Sequence, residues 1–256
     1  MSAHDGACRV ALVTGAATGI GAAIAARLAR DGCIVVIADI DERAAQGAAS
    51  ALQKDGLDAW PLGMNVGEPA SVAAGFAAVG GRYGRCDVLV NNAGIAKTYA
   101  FLDYPFEHWQ QTMAVNLSGP LLCGQQAARM MQRHGWGRIV NVSSVSGLRA
   151  SAGRTAYGTS KAAVVGLTRQ MAIELAPLGI TANGVAPGPV DTPLARTVHS
   201  ETTRSSYLRA IPAGRYGQPE EIAAVVSFLA SDDASYVNGH IIPVDGGFIA
   251  AGVLEI

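Results

Sequence analysis

The chain is poor in the features that mark several large protein classes. Charged residues make up only 15% of its 256 residues, the formal net charge is -1, and no Lys/Arg cluster stands out. The electrostatic footprint of a nucleic-acid binder is therefore missing. The four cysteines, Cys8, Cys33, Cys86 and Cys123, lie far apart with no C-x-x-C pair, and the five histidines are equally scattered. That argues against a disulfide framework and against a zinc site. No apolar run approaches the roughly 18 residues needed to cross a bilayer. The N-terminal MSAHDGACRV has no basic region followed by an apolar one, so no membrane association and a cytoplasmic location are expected. Low-complexity stretches, fixed-period repeats and composition shifts are absent too, which predicts a single domain over 1–256.

What is present points to a large core. Half of the residues are apolar, and short β-rich runs recur at 9–14, 33–38, 58–64, 87–90, 137–143, 180–186 and 241–244. Helix-compatible stretches separate them at 19–31, 41–55, 68–82, 106–134, 156–176 and 219–230. Strand alternating with helix implies parallel pairing with right-handed crossovers. The expected fold is α/β: a doubly wound, Rossmann-type, seven-stranded parallel sheet with helices on both faces. The stretch 188–217 carries Pro189, Pro193, Pro212 and several polar residues, and reads as a lid or binding loop.

Glycine is abundant, at 31 residues, and clusters at strand ends. After the first β-run comes TGAATGIG, in which Gly15, Gly19 and Gly21 open a helix. Glycines there permit a sharp turn and close approach to a pyrophosphate, while the helix N-terminus offers unpaired N–H groups. Thr18 and Ile20 belong to the same turn. Asp39, at the end of the second strand and next to Ile40, can accept both hydroxyls of an adenosine ribose and would repel a 2'-phosphate. It could instead cap the following helix, a role that Asp41 fills as well. No Lys or Arg occupies 16–18 or 40–42. The cofactor expected is NAD.

YGTSK places Tyr157 and Lys161 four residues apart, on one face of a helix. A cation beside a phenol stabilises the phenolate and lowers its pKa by about 1 to 3 units, which would prepare Tyr157 to exchange a proton with an alcohol or a ketone.

With TGAATGIG, NNAG at 91–94, Asn116, Ser144, the Tyr157/Lys161 pair and PGPVDT at 187–192, the chain resembles the short-chain dehydrogenase/reductase family, in its branch of roughly 250 residues. The resemblance covers nearly the whole chain and implies an NAD-dependent oxidoreductase that interconverts a secondary alcohol and a ketone. It implies that Tyr157 is the general acid/base and that Ser144 hydrogen-bonds the substrate oxygen. Lys161 would hold the nicotinamide ribose. A helix distortion at Asn116 would let its carbonyl hold a water that relays protons to the lysine. NNAG, with Asn92, Ala93 and Gly94, would line the adenosine side. Asn65 and Val66 stand where the family usually shows Asp–Val beside adenine. In PGPVDT, Pro187 and Gly188 would turn the chain over the nicotinamide, and the Val190 backbone and the Thr192 hydroxyl would meet its carboxamide.

Arg154, three residues before Tyr157, can reach a substrate carboxylate or another polar group, with Arg149 and Lys97 near the same rim. A solvated surface arginine is the competing assignment. The helix from 156 is apolar almost all round, so it should be buried on more than one side. A homotetramer, with a dimer as fallback, would supply the second cover, whereas burial beneath the chain's own loops would leave a monomer. A non-catalytic NAD-binding or sensing protein is the alternative function, since fold alone does not fix activity. The joint presence of Ser144, Tyr157 and Lys161 argues for chemistry.

Overall fold

The computed structural model describes residues 8–252. The first seven residues, on which part of the expectation about a leader segment falls, lie outside that range. Seven strands form one parallel sheet: β1 (Val10–Thr14), β2 (Ile34–Asp39), β3 (Ala59–Gly63), β4 (Val88–Asn91), β5 (Gly137–Val142), β6 (Ile180–Pro187) and β7 (Ile241–Val244). Their spatial order is β3-β2-β1-β4-β5-β6-β7. The chain winds outward from β1 to β3, then returns to place β4 against the other side of β1. That reversal opens a crevice at the carboxyl ends of β1 and β4.

Alternation along the strands sorts side chains into two cores. Ala11 and Val13 of β1 face one layer with Val35, Ile37, Val88 and Val140. Val10 and Leu12 face the other with Val36, Leu89 and Ile139. The first layer is covered by α1 (Gly19–Arg30), α2 (Glu42–Lys54) and α9 (Pro219–Ala230), which contribute Ile24, Ala49 and Val226 among others. The second is covered by α3 (Pro69–Tyr83), α5 (Gly119–Met131) and α6 (Thr155–Leu175), through residues such as Phe76, Cys123 and Met171. Each large side chain buried this way stabilises the fold by about 1.5–3 kcal/mol. Proline occurs inside strands only at Pro61 of β3 and Pro243 of β7. (Pro187 ends β6.) Both are edge strands, where a missing N–H costs no ladder bond on the open side.

Two expectations need correction. The stretch 106–134 is not one uniform helix: α4 (Phe106–Met113) passes through a π turn at Ala114–Ser118 into α5. The π turn contains Asn116, where the family resemblance placed a distortion. The segment 188–217 is not simply a loop, because it forms α7 (Pro193–Val198) and α8 (Glu201–Ala210). Pro193 and two of the hydroxyl residues of this stretch mark helix starts. Pro193 opens α7, Thr192 accepts from the Ala195 N–H at 3.1 Å, and Ser200 accepts from the Thr203 N–H at 3.2 Å. On α6, one face packs inward and the other is open in the single chain, where the expected second cover would lie. Val164, Val165 and Thr168 face inward, whereas Thr159, Ala162, Gly166, Arg169 and Ile173 form an exposed row.

Candidate active site

A cleft of about 720 Å³ lies at the crevice between β1 and β4. One end is formed largely by backbone. Gly15 and Gly19 adopt left-handed conformations, with φ of 61° and 58°, that side-chain-bearing residues rarely take. At Gly21 a Cβ would collide with the Gly15 carbonyl and the Asn92 amide. Thr18, the N-cap of α1, makes no side-chain cap, so the first N–H groups of the helix point at the cleft without that partner. Asn92 does more than line the cavity. Its amide donates to the carbonyls of Thr14 and Gly15, both at 2.9 Å, and thereby fixes the glycine turn against β4. The Thr14 hydroxyl accepts from the N–H groups of Asn92 and Ala93, each at 3.0 Å.

Asp39 ends β2 beside this turn. Its carboxylate accepts from the Ala17 N–H at 3.1 Å and from the Asp41 N–H at 3.2 Å. The helix cap is Asp41, which accepts from the Ala44 N–H at 3.0 Å. Ile40 and Asp39 line the cleft, as do Asn65, Val66, Ala93 and Gly94. The Asn65 amide is already engaged, accepting from the Gly67 N–H at 3.0 Å and donating to Glu68 at 2.9 Å. Across the cleft, Pro187, Gly188, Val190 and Thr192 come from the end of β6 and the approach to α7. A Cβ at Gly19 would lie 3.6 Å from the Thr192 methyl, so the PGPVDT segment and the glycine turn nearly touch. A glycine cradle, free helix N–H groups and a terminal carboxylate form a donor and acceptor set that fits a dinucleotide.

The other end is made of side chains. Ser144 follows β5, is buried, accepts from the Ser146 N–H at 3.1 Å, and lines the cleft together with Tyr157. Ser143, its neighbour, donates to the Lys161 carbonyl at 2.8 Å and so ties β5 to α6. Gly147 lets those elements approach, since a Cβ there would lie 2.6 Å from the Lys161 backbone. Asn116 is fully buried. Its amide oxygen accepts from the Ile95 N–H at 2.9 Å, and its nitrogen donates to the Ile95 carbonyl at 3.0 Å and to Ser160 Oγ at 3.1 Å. Ser160 in turn donates to the Tyr157 carbonyl at 2.8 Å, so the π turn grips the first turn of α6.

Tyr157 and Lys161 share a helix face and line the cleft, as their spacing requires. The expected electrostatics is different, however. The Lys161 ammonium sits 5.8 Å from the Tyr157 ring centroid and donates to the Val142 carbonyl at 2.7 Å. Burial pushes its pKa down to about 8. Burial also pushes Tyr157 up, and what pulls it partly back is the Ser144 hydrogen bond and the charge of Arg154. Desolvation outweighs the neighbouring cations in the protein alone.

Arg154 is a half-buried residue of the cleft wall and not a freely solvated surface group. Arg149 and Lys97 do not line the cleft, and Arg149 instead lies over the Phe248 ring. Sequence reasoning missed His199 and Tyr207, which wall the same end. It also missed a buried chain beneath the site, in which Asn91 donates to Asn141 at 2.8 Å and Asn141 donates to Thr168 at 2.9 Å. An amide flanked by Val140 and Val142 inside a buried strand was the available signal for Asn141.

Comparison with known proteins agrees with this geometry. A sequence-family profile described as "Enoyl-(Acyl carrier protein) reductase" matches residues 15–249. The chain is 42% identical to the 3-oxoacyl-[acyl-carrier-protein] reductase FabG of Aquifex aeolicus, over 93% of this chain and 96% of that protein. It is 44% identical to the cis-4-hydroxycyclohexanecarboxylate dehydrogenase of Sinomonas cyclohexanicum, over 94% and 97%. The crystal structure of a gluconate 5-dehydrogenase from Burkholderia cenocepacia, in complex with NADP and tartrate, superimposes with a TM-score of 0.92 at 37% identity, covering 97% of both chains.

Proposed function

Because the chain belongs to the short-chain dehydrogenase/reductase family, and is with it an oxidoreductase acting between hydroxyl and carbonyl groups, we propose that it uses NAD to interconvert a secondary alcohol and a ketone. The observation that carries this reading is the convergence of Ser144, Tyr157 and Lys161 on one end of a dinucleotide-shaped cleft. The cofactor would supply a hydride acceptor or donor at its nicotinamide ring, and Val190 and Thr192, which line the cleft, would be among the residues that hold it.

The residues of the chain divide the remaining work. Ser144 offers its hydroxyl to the substrate oxygen and favours the phenolate form of Tyr157, pulling its pKa down. Tyr157 takes the alcohol proton during oxidation and returns it during reduction. Its pKa, raised by burial, favours the protonated phenol, so reduction starts from the better-populated form. Lys161, anchored on the Val142 carbonyl, presents its remaining donors to the cofactor ribose. Asn116 holds the π turn against Ile95 and Ser160, and, as the family resemblance implies, its main-chain carbonyl would hold a water that relays protons to the lysine.

NAD is favoured over NADP by charge. Asp39 closes the adenosine end, and among the described residues lining the cleft the only Lys or Arg side chains are Arg154 and Lys161, both at the far end. A 2'-phosphate would meet a carboxylate and no compensating cation. The NADP-bound gluconate 5-dehydrogenase shows that the family also accommodates that group, so the preference rests on this chain's own residues. The exposed row on α6 suits a homotetramer, with a dimer as fallback, in a cytoplasmic protein of one domain. Size-exclusion chromatography giving a monomer near 26 kDa would end the oligomer proposal.

The test is absorbance at 340 nm, with NAD or NADP and a panel of secondary alcohols, polyols and hydroxy acids. NADH formation at a kcat/KM well above that with NADP is expected. Turnover with no member of the panel and either cofactor would leave a binding protein on this fold.

A further inference from the structure

The substrate end of the cleft holds a cation that the fold orients without neutralising. Arg154, the N-cap residue of α6, places Nη2 3.1 Å from Nε2 of His199. His199 follows α7, and its Nδ1 lies 3.1 Å from the Tyr216 hydroxyl. A guanidinium has donors and no acceptor, so His199 must accept at Nε2. The imidazole is consequently neutral, with its proton on Nδ1 and donated to Tyr216. Burial and the charges of Arg154 and Arg204 push the histidine pKa down, in the same direction. The ring is held flat against Tyr207 of α8, with centroids 5.2 Å apart, and edge-on to Tyr216.

Other charges nearby are answered. Arg204, lying over the Tyr216 ring, is 3.7 Å from Asp191, and Asp191 also pairs with Arg196 at 3.2 Å. Among the described residues, no carboxylate lies within ion-pairing distance of Arg154. Its guanidinium sits 5.6 Å from the Tyr157 ring centroid, on the cleft wall, with most of its donors uncommitted. A carboxylate orienting this arginine would have cancelled its charge. A neutral imidazole fixes the fork and leaves the full positive charge for a ligand.

We infer that the cleft is built for substrates that carry a carboxylate, received by Arg154, and that His199 is the positioning residue that keeps the fork aimed at it. The helices α7 and α8 thus carry the specificity of the enzyme, since they bring His199 and Tyr207 to the wall. The inference rests on the hydride-transfer reading of Tyr157, and the two can be separated.

Calorimetric titration of cyclohexanecarboxylate and cyclohexanecarboxamide, alike in shape and different in charge, into the NADH-saturated protein reads the site without turnover. The acid should bind about 10- to 100-fold more tightly than the amide, as for a hydrogen-bonded charge pair. Arg154→Met should abolish the preference. His199→Phe should remove most of it, whereas His199→Gln should keep it, because an amide can accept from Arg154 and donate to Tyr216. In steady state, 4-oxocyclohexanecarboxylate and its methyl ester supply the second readout: Arg154→Met and His199→Phe should raise KM for the acid far more than for the ester, with smaller changes in kcat. Equal binding of acid and amide by the wild type, or a preference that survives Arg154→Met, overturns the anion site. Identical behaviour of the Gln and Phe variants overturns the role of His199. Charge preference without turnover of any ketone would instead sink the hydride-transfer reading and leave the anion site standing.

Discussion

The two ends of the cleft are made of different material. At the glycine-turn end the walls are largely backbone groups of β1, the turn and the start of α1, fixed from behind by Asn92 and Thr14. At the substrate end they are side chains, Ser144, Arg154, Tyr157 and His199, drawn from β5, α6 and the segment after α7. The first end is shaped largely by backbone of the sheet and of a turn with enforced φ. The second depends on hydrogen bonds between residues as far apart as Arg154 and His199. One end can serve a whole family of reactions, while the other can change its substrate by exchanging a few side chains.

That contrast can be broken at either end. The largest effect should come from Tyr157→Phe, which keeps the ring and removes the hydroxyl: kcat should fall by about 10²- to 10⁴-fold, while calorimetry shows cofactor affinity little changed. Retained turnover would take Tyr157 out of the proton-transfer step. Gly21→Val should do the reverse, with a side chain driven into the Gly15 carbonyl and the Asn92 amide. Nucleotide binding should be lost and the melting temperature lowered, since overpacking of this sort costs about 1–3 kcal/mol or more. A valine variant that binds NAD normally would mean the glycine cradle is not the phosphate site.

Lys161 connects the two ends and should reveal itself through pH. In the unfolded chain its pKa is 10.5, and in the fold it is pushed down to about 8. Between those values the unfolded state holds more protons, so the stability of the wild type rises with pH relative to Lys161→Met. The gain should reach up to about 3 kcal/mol, read by urea unfolding at pH values from 7 to 10.5. A difference that stays flat across this window would show that the ammonium is not desolvated. The smallest effect should be that of Asp39→Ala, which removes the acceptor for the Ala17 and Asp41 N–H groups and for the ribose. The NAD-to-NADP ratio of kcat/KM should fall about 10-fold. An unchanged ratio would remove Asp39 from cofactor choice.

The backbone end could be read from the sequence because its physics is local. Gly15, Gly19 and Gly21 announce a turn by their spacing, and Asp39 follows at the end of the next β-run. The alternation of strand and helix likewise specified the parallel sheet, since each apolar run is too short to do anything but cross a core. At the other end the pairing of Tyr157 with Lys161 was legible from helical spacing, but its electrostatic consequence was not. Burial, which decides the direction of both pKa shifts, is set by elements distant in sequence. The same holds for α7 and α8. Their prolines and hydroxyl residues are ambiguous between turn and helix start, and only the caps at Thr192 and Ser200 resolve them. His199 carried no local mark, because its importance lies in the distance to Arg154 and Tyr216.

The prolines of the two outermost strands have an effect beyond their own positions. Pro61 and Pro243 each remove a donor from the rim of the sheet, so a foreign strand arriving at either margin finds an interrupted row of partners. Copies of this chain are thereby discouraged from merging sheet to sheet into open-ended polymers.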